Sequence, residues 1–89
     1  MEQRNLPVQV IAHCTAEGEL LPLRFRYEDE EHCLHTVRVR EVTDRRRVEY
    51  VGIEALQYLC KSEEQGKERL YELRYTVRSH KWCLMRRVY

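Results

Sequence analysis

Residues 69–89 constrain the fold more than any other stretch, because their apolar side chains recur at every second position. The first half of this stretch places four of them on one face of an extended chain: Tyr71, Leu73, Tyr75 and Val77. Such alternation, rich in Tyr, Val and Thr, is typical of a half-buried strand. Polar residues 79–81 interrupt the pattern, which resumes at Trp82. The sequence therefore predicts an antiparallel hairpin, and we expect the earlier strands to assemble on it.

Length and charge limit the class of protein. The chain has 89 residues, enough for one hydrophobic core but not for two, so a single domain over residues 1–89 is predicted. The apolar fraction of 43% supports a compact core despite 35% charged residues. The formal net charge is only +1, which gives no argument for a strongly basic nucleic-acid-binding domain. Most of the basic residues are Arg, which makes planar, bidentate contacts that Lys does not.

Shorter alternating runs occupy the earlier part of the chain. Strands are predicted at residues 8–14, 21–27, 32–42 and 55–62, with an acidic hairpin loop at residues 28–31. Pro22 cannot donate a backbone hydrogen bond, so the second strand either begins at Leu23 or carries Pro22 at an edge or a bulge. Residues 43–47 break the pattern with charge and are predicted to be an exposed connection. Residues 48–54 remain open between strand, loop and helical turn.

Five or six short strands joined by polar turns predict an all-β fold with little or no helix. The expected architecture is a small antiparallel barrel of the SH3-like or Sm-like kind, or a strongly curved sheet, because a flat open sheet would expose long apolar edges. The predicted core comprises Val8, Val10, Leu21, Leu23, Phe25, Val37, Val39, Tyr58, Leu73, Tyr75, Val77, Trp82 and Leu84.

Six Arg residues fall on the parity opposite the predicted core and are the candidate ligand-binding residues: Arg24, Arg26, Arg38, Arg40, Arg74 and Arg78. If the strands pair in chain order, several of them gather on one outward face, with Glu72 among them. Guanidinium groups on such a face bind phosphates or carboxylates, and nearby aromatic rings stack the bases of single strands. The alternative, favoured by the 15 acidic residues, is a solvated face on which each Arg pairs with Glu on a neighbouring strand.

Cysteine and histidine give little sign of a metal site. The four Cys residues are widely separated and form no C-x-x-C pair, so they are predicted to be small buried apolar residues. Only His80 and Cys83, which straddle a predicted turn, have a spacing that allows a shared metal ion. Zinc is the less favoured interpretation of this pair, and no cofactor is expected.

Catalytic and targeting motifs find no support. The chain has no Gly-rich phosphate loop and no G-x-S-x-G, so it is not expected to be an enzyme. Its polar start, M-E-Q-R-N-L-P, is followed by no long apolar run. These features predict a cytoplasmic protein with no membrane partner.

Three segments carry a resemblance to known proteins: P-L-R-F-R-Y-E-D from Pro22, L-Y-E-L-R-Y from Leu70 and K-W-C-L from Lys81. They are similar to a family of short, mostly-β proteins of unassigned activity from Gram-positive anaerobic bacteria. The W-C-L ending also resembles the W-Y-L signature of Sm-like barrel domains in bacterial transcription regulators, with Cys83 where that signature has Tyr. The second resemblance implies a small barrel and a role in sensing a ligand or nucleic acid.

Two functional hypotheses follow from the sequence. The favoured one is a non-enzymatic binding module that meets an unidentified protein partner through a sheet edge or its Arg-bearing face. The alternative is a single-stranded RNA or DNA binder that uses the same face. An acidic loop and the basic residues 45–47 on another copy would favour self-association, so a monomer or a weak homodimer is expected.

Overall fold

The computed structural model describes residues 5–89, which form one antiparallel sheet of seven strands and contain no helix. The strands are β1 (Leu6–Cys14), β2 (Leu20–Glu28), β3 (Leu34–Arg38), β4 (Glu41–Tyr50), β5 (Ile53–Glu64), β6 (Lys67–Thr76) and β7 (Lys81–Arg87). Their order across the sheet is β3-β2-β1-β7-β6-β5-β4. The predicted all-β class is confirmed. The predicted count of five or six strands is wrong, because residues 5–89 form seven strands. Of the two predicted architectures, a small barrel and a strongly curved sheet, the barrel is wrong, because the sheet is open.

The C-terminal hairpin lies inside the sheet, as its apolar alternation predicted. β6 and β7 pair with each other, β1 pairs with the other side of β7, and β5 pairs with the other side of β6. Tyr71, Leu73 and Leu84 are almost completely buried. The strand predicted at residues 55–62 is also confirmed, as the central part of β5.

β4 is the strand that the sequence did not predict. It includes residues 43–47, which were predicted to be an exposed connection, and that prediction is wrong. They lie in β4, with a bulge at Thr43. An edge strand tolerates charge because one side of it faces solvent. Each of the three Arg residues there also has a carboxylate partner: Arg45–Glu19 at 2.8 Å, Arg46–Asp44 at 2.9 Å and Arg47–Glu54 at 2.9 Å. Residues 48–54, for which the sequence allowed strand, loop or helical turn, complete β4, turn at residues 51–52 and begin β5.

β3 and β4 lie at opposite edges of the sheet although only Val39 and Arg40 separate them. The Val39 N–H donates to the Leu23 carbonyl oxygen at 2.8 Å, and the Arg40 N–H donates to the Lys61 carbonyl oxygen at 2.8 Å. One extended stretch therefore pairs first with β2 and then with β5. This passage divides the strand predicted at residues 32–42 into β3 and the start of β4.

The core contains most of the residues predicted for it. Phe25, Val37, Tyr58, Leu73 and Leu84 are buried. Six others are partly buried and pack against that cluster: Val8, Val10, Leu21, Val39, Tyr75 and Trp82. Val77 lies in the turn after β6, outside the cluster. Six buried residues were absent from the predicted core list: Pro22, Ala55, Cys60, Ser62, Tyr71 and Met85. Burial of Cys60 was predicted separately, with that of the other Cys residues.

Leu23 is the clear error in the predicted core. Its side chain is 47% exposed, whereas the neighbouring Pro22 is fully buried. Ala12 pairs with Pro22 and Ile11 pairs with Arg24, so Leu23 is an extra residue in a β-bulge. A bulge reverses the inward and outward parity on one side of it. The sequence allowed Pro22 to precede the strand, to lie at an edge or to lie at a bulge, and the structure places it beside the bulge.

Candidate functional site

Three of the six predicted Arg residues lie together on the outward face of β2 and β3. Arg24 and Arg26 are alternate residues of β2, and Arg38 at the end of β3 lies directly opposite Arg24. All three are exposed. Within the part of the chain that the structure describes, none of them forms an ion pair.

Arg24 and Arg38 form a like-charge pair across the two strands. The neighbouring pair, Leu23 and Val39, is joined by a backbone hydrogen bond of 2.8 Å. Hydrogen-bonded and non-hydrogen-bonded pairs alternate in an antiparallel ladder, so Arg24 and Arg38 form a non-hydrogen-bonded pair, in which opposite side chains lie closest. Like charges in that position destabilise a sheet. A pair that costs stability is a candidate for binding an anionic group.

Three exposed aliphatic side chains lie beside these Arg residues: Ile11 (51% exposed), Leu23 (47%) and Leu34 (62%). Shallow grooves between them are lined by the Arg side chains. We call the six residues Ile11, Leu23, Arg24, Arg26, Leu34 and Arg38 the Arg surface. The aliphatic residues were not predicted as part of a site. One indication of them was present in the sequence: Ile11 is an apolar residue at a position that, by the alternation of its strand, should be polar.

The backbone of β3 adds hydrogen-bonding groups that have no partner among residues 5–89. β3 is an edge strand, and by the same alternation its N–H and C=O groups at Leu34, Thr36 and Arg38 point away from β2. The next residue of that parity, Arg40, donates its N–H to Lys61 of β5. β5 thus pairs with this side of the extended stretch from Arg40 onward. A peptide bound along β3 would pair with the same side before Arg40.

The other three predicted Arg residues lie apart from this group. Arg40 lies between β3 and β4, and its Nη1 contacts Glu63 Oε1 at 2.6 Å. The guanidinium carbon of Arg74, on β6, lies 5.2 Å from the centroid of the Tyr50 ring. Arg78 is exposed in the turn between β6 and β7. Of the six, Arg24, Arg26 and Arg38 are therefore the ones that share the outward face of β2 and β3 without a carboxylate partner among residues 5–89.

Glu72, expected among the Arg residues, is occupied by other partners. Arg86 Nε donates to Glu72 Oε1 at 2.7 Å, and Gln57 Nε2 donates to Glu72 Oε2 at 3.1 Å. The Glu72 side chain is only 15% exposed. This part of the outward face matches the alternative interpretation, in which Arg and Glu pair across strands.

The acidic loop between β2 and β3 binds its own groups. Asp29 Oδ2 lies 2.7 Å from His35 Nε2, and Asp29 Oδ1 accepts backbone N–H bonds from Glu31 and Cys33, each of 2.9 Å. The hydrogen bond with His35, followed by that from the Cys33 N–H, lowers the pKa of Asp29. These contacts order the loop that leads into β3.

The Cys residues divide into two kinds. Cys60 is buried and Cys83 is half-buried, whereas Cys14 and Cys33 are exposed, so the prediction of burial is wrong for these two. His80 lies in the turn before β7, where its Nδ1 is 2.9 Å from the Tyr75 hydroxyl. Residues 5–89 contain no group of three or more His, Cys, Asp or Glu side chains that could hold a metal ion.

Comparison with known proteins identifies no relative. No family model, curated protein or solved structure matches this chain. Among residues 5–89 no helix is long and apolar enough to cross a membrane. Function is therefore inferred from the geometry of the Arg surface and of the strand edges.

Proposed function

We propose that the protein is a small non-enzymatic binding module that holds an extended, acidic segment of a protein partner along β3 and the Arg surface. The observation that carries this proposal is the like-charge pair of Arg24 and Arg38, exposed and without a carboxylate partner among the described residues. Carboxylates of a partner would remove the repulsion, and the guanidinium groups would bind them in bidentate fashion.

The neighbouring side chains favour a protein over a nucleic acid. Proteins that bind single strands without sequence preference stack the bases on aromatic rings. The three apolar side chains of the Arg surface are aliphatic, and Tyr27, which lines the same groove as Arg26 and Leu34, is half-buried and packs against Phe25 and His35. Aliphatic side chains next to Arg suit a peptide with both apolar and acidic residues.

The open edge of β3 supports an extended conformation for that peptide. Strand addition provides main-chain hydrogen bonds, and side chains at alternate positions give specificity. The outward face of β3 carries Leu34, Thr36 and Arg38, so an added strand would place alternate side chains beside the Arg surface.

An amide chemical-shift titration tests the proposal. Pools of short random peptides rich in Glu and Leu, matched pools with Gln in place of Glu, and a mixed-sequence single-stranded RNA are each added at low and moderate salt. Shifts at Leu34, Thr36 and Arg38 with the Glu-containing pool alone support strand addition by an acidic peptide. RNA binding that falls steeply with salt, without peptide binding, would instead assign the surface to single-stranded nucleic acid.

Charge reversal at Arg38 is expected to separate stability from binding. In Arg38→Glu the like-charge pair becomes an ion pair with Arg24, which should stabilise the fold by about 0.2–1 kcal/mol. The same change should weaken binding of the acidic peptides by about tenfold, since it replaces attraction by repulsion. Thermal melting and the titration measure the two effects.

Arg46→Glu is the matched control for this variant. Arg46 is exposed on β4, on the opposite edge of the sheet, and pairs with Asp44. Its reversal changes the net charge by the same amount but leaves the Arg surface intact. Equal loss of affinity in both variants would show that only overall charge matters, and the proposed site would be abandoned.

A further inference from the structure

The hairpin between β4 and β5 presents an exposed apolar tip, residues 50–53, that the proposed function does not use. Val51 is 101% exposed, Tyr50 is 53% exposed and Ile53 is 42% exposed. Isolated exposed apolar residues are common on proteins, but three of them at one hairpin end form a continuous apolar projection. We call residues 50–53 the apolar tip.

The backbone of the apolar tip is strained. Val51 has a φ of 51° and Gly52 a φ of 79°, the pattern of a two-residue turn with both central residues in the left-handed region. Asn, Asp or Gly is preferred at the first of these positions, and a β-branched residue there is an outlier. The hairpin between β5 and β6 has the same geometry with a polar residue, Gln65, at a φ of 53°. Val51 therefore costs stability that a polar residue would not.

Three basic residues lie at the same end of the sheet as the apolar tip: Arg74, Arg78 and Lys81. Arg74 lies over the Tyr50 ring, and a shallow groove lined by Ile53 and Arg74 runs beneath it. Lys81 pairs with Thr76, which lines the same groove. Arg78 lies in the adjacent turn. Among residues 5–89 none of these three basic residues has an ion-pair partner.

The carboxylates near the apolar tip are fewer and lie on the other face. Glu49 and Glu54 form a cross-strand pair, and their parity is opposite to that of Tyr50 and Ile53. Glu54 is also paired with Arg47 at 2.9 Å. The face of the hairpin that carries the apolar side chains is therefore positive.

The strand topology places the most acidic turns at the opposite end of the sheet. β3 continues into β4 without reversing, so the β4–β5 and β6–β7 turns share one end and the β2–β3 and β5–β6 turns share the other. The Val77 N–H donates to the Glu54 carbonyl oxygen at 3.1 Å, which joins the first two turns. Residues 28–31 are all acidic and lie at the other end. The β1–β2 turn shares the end of the apolar tip and contains Glu17 and Glu19, of which Glu19 is paired with Arg45. The most acidic turns and the unpaired basic residues Arg74, Arg78 and Lys81 thus lie at opposite ends of the strands.

We propose that the apolar tip inserts into the interface of an anionic lipid bilayer. Tyr50, Val51 and Ile53 would enter the headgroup boundary, where aromatic side chains are favoured, and Arg74, Arg78 and Lys81 would contact lipid phosphates. A bilayer fits better than a protein groove because the apolar residues project from a convex hairpin whose basic neighbours match an anionic surface. The acidic turns would face away from the lipid.

This inference is independent of the Arg surface and of the proposed peptide partner. The expectation of no membrane partner was based on the lack of a long apolar run, which a transmembrane helix requires and an inserted hairpin tip does not.

Vesicle co-sedimentation tests this inference with the whole chain. Vesicles of phosphatidylcholine alone are compared with vesicles that also contain phosphatidylglycerol. The unmodified protein should sediment with the anionic vesicles, release at high salt and bind phosphatidylcholine weakly. Val51→Asn should reduce binding by about tenfold because it removes apolar surface from the tip. The same variant should raise the melting temperature, because Asn tolerates the left-handed conformation.

Two further variants make the result specific. Gln65→Val places the same strained residue in the matching turn at the acidic end, and it should not increase vesicle binding. The double variant Arg78→Gln, Lys81→Gln should lower binding to the anionic vesicles toward the level on phosphatidylcholine.

Several outcomes would overturn the inference. One is failure of the unmodified protein to bind anionic vesicles, and another is equal binding by Val51→Asn. A third is a dimer without lipid, seen by sedimentation velocity, that Val51→Asn dissociates, because the apolar tip would then dock on a second copy.

Discussion

Replacing Leu73 with alanine is expected to lower the free energy of unfolding by about 2–5 kcal/mol. Leu73 is completely buried on β6, between Tyr58 on one neighbouring strand and Leu84 on the other. Truncation would leave a cavity at the centre of the sheet. Because small domains have only about 5–15 kcal/mol of stability, this change should move the urea midpoint strongly or unfold the protein.

Leu34→Ala provides the control for this prediction. Leu34 is 62% exposed at the edge of the sheet, so the same truncation should change stability by no more than about 0.5 kcal/mol. Similar urea midpoints for the two variants would contradict the assignment of Leu73 to the core. Titration of Leu34→Ala with the acidic peptides then tests whether loss of Leu34 weakens binding while the fold is kept.

A second large effect is expected at alkaline pH. Burial raises the pKa of Tyr58 and of Cys60 to about 12, and burial together with the hydrogen bond to Glu64 raises the pKa of Tyr71. The ordinary values are 9.0 for Cys and 10.0 for Tyr. The unfolded chain therefore loses these protons at lower pH than the folded protein does.

The sign of the pH dependence follows from this order of ionisation. The protonated side chains of Tyr58, Cys60 and Tyr71 contribute fully to the free energy of unfolding below about pH 9. This contribution is lost as the pH rises toward 12, at about 1.4 kcal/mol per pH unit for each group. Urea unfolding followed by circular dichroism at increasing pH measures the decline. Stability that stays constant up to pH 12 would contradict the burial of these groups.

Tyr58→Phe separates the contribution of one hydroxyl. The Tyr58 hydroxyl donates to the Leu20 carbonyl oxygen, so its removal should cost about 1 kcal/mol at neutral pH. The variant lacks the ionisable group, and its stability should therefore fall less steeply between pH 10 and 12. An unchanged slope would show that Tyr58 does not contribute to the alkaline transition.

Local patterns predicted the strands but not the way in which the sheet ends. The alternation of residues 71–77 identified β6 because half of that strand faces the core. The alternation in residues 21–27 failed at Leu23, since a bulge changes parity without changing composition. The charged residues 43–47 predict a connection, because Glu19 and Glu54, the partners of Arg45 and Arg47, lie outside this segment, in the β1–β2 turn and in β5. The closed barrel was wrongly predicted because the change of pairing partner at Val39 and Arg40, from β2 to β5, depends on tertiary contacts that the local sequence does not show.

The Arg surface was partly visible in the sequence. Parity alone selected Arg24, Arg26 and Arg38, which the structure brings together. Parity also selected Arg40, which follows Arg38 at the same parity but pairs with Glu63, and Arg74, which lies on β6 and is separated from β2 by β1 and β7. The aliphatic members were missed because an exposed leucine has no distinctive spacing, and Leu23 was assigned to the core.

The pairing of β1 with β7 has a consequence for how fast the chain folds. Every other ladder joins strands that follow each other in sequence, whereas this one sets Leu6 opposite Leu84 and contains three described residue pairs. Bringing β1 next to β7 costs loop-closure entropy, and the contacts that offset this cost form only afterwards. We therefore expect the hairpins to form early and the docking of β1 on β7 to be rate-limiting. A variant that weakens the β1–β7 ladder should therefore fold more slowly.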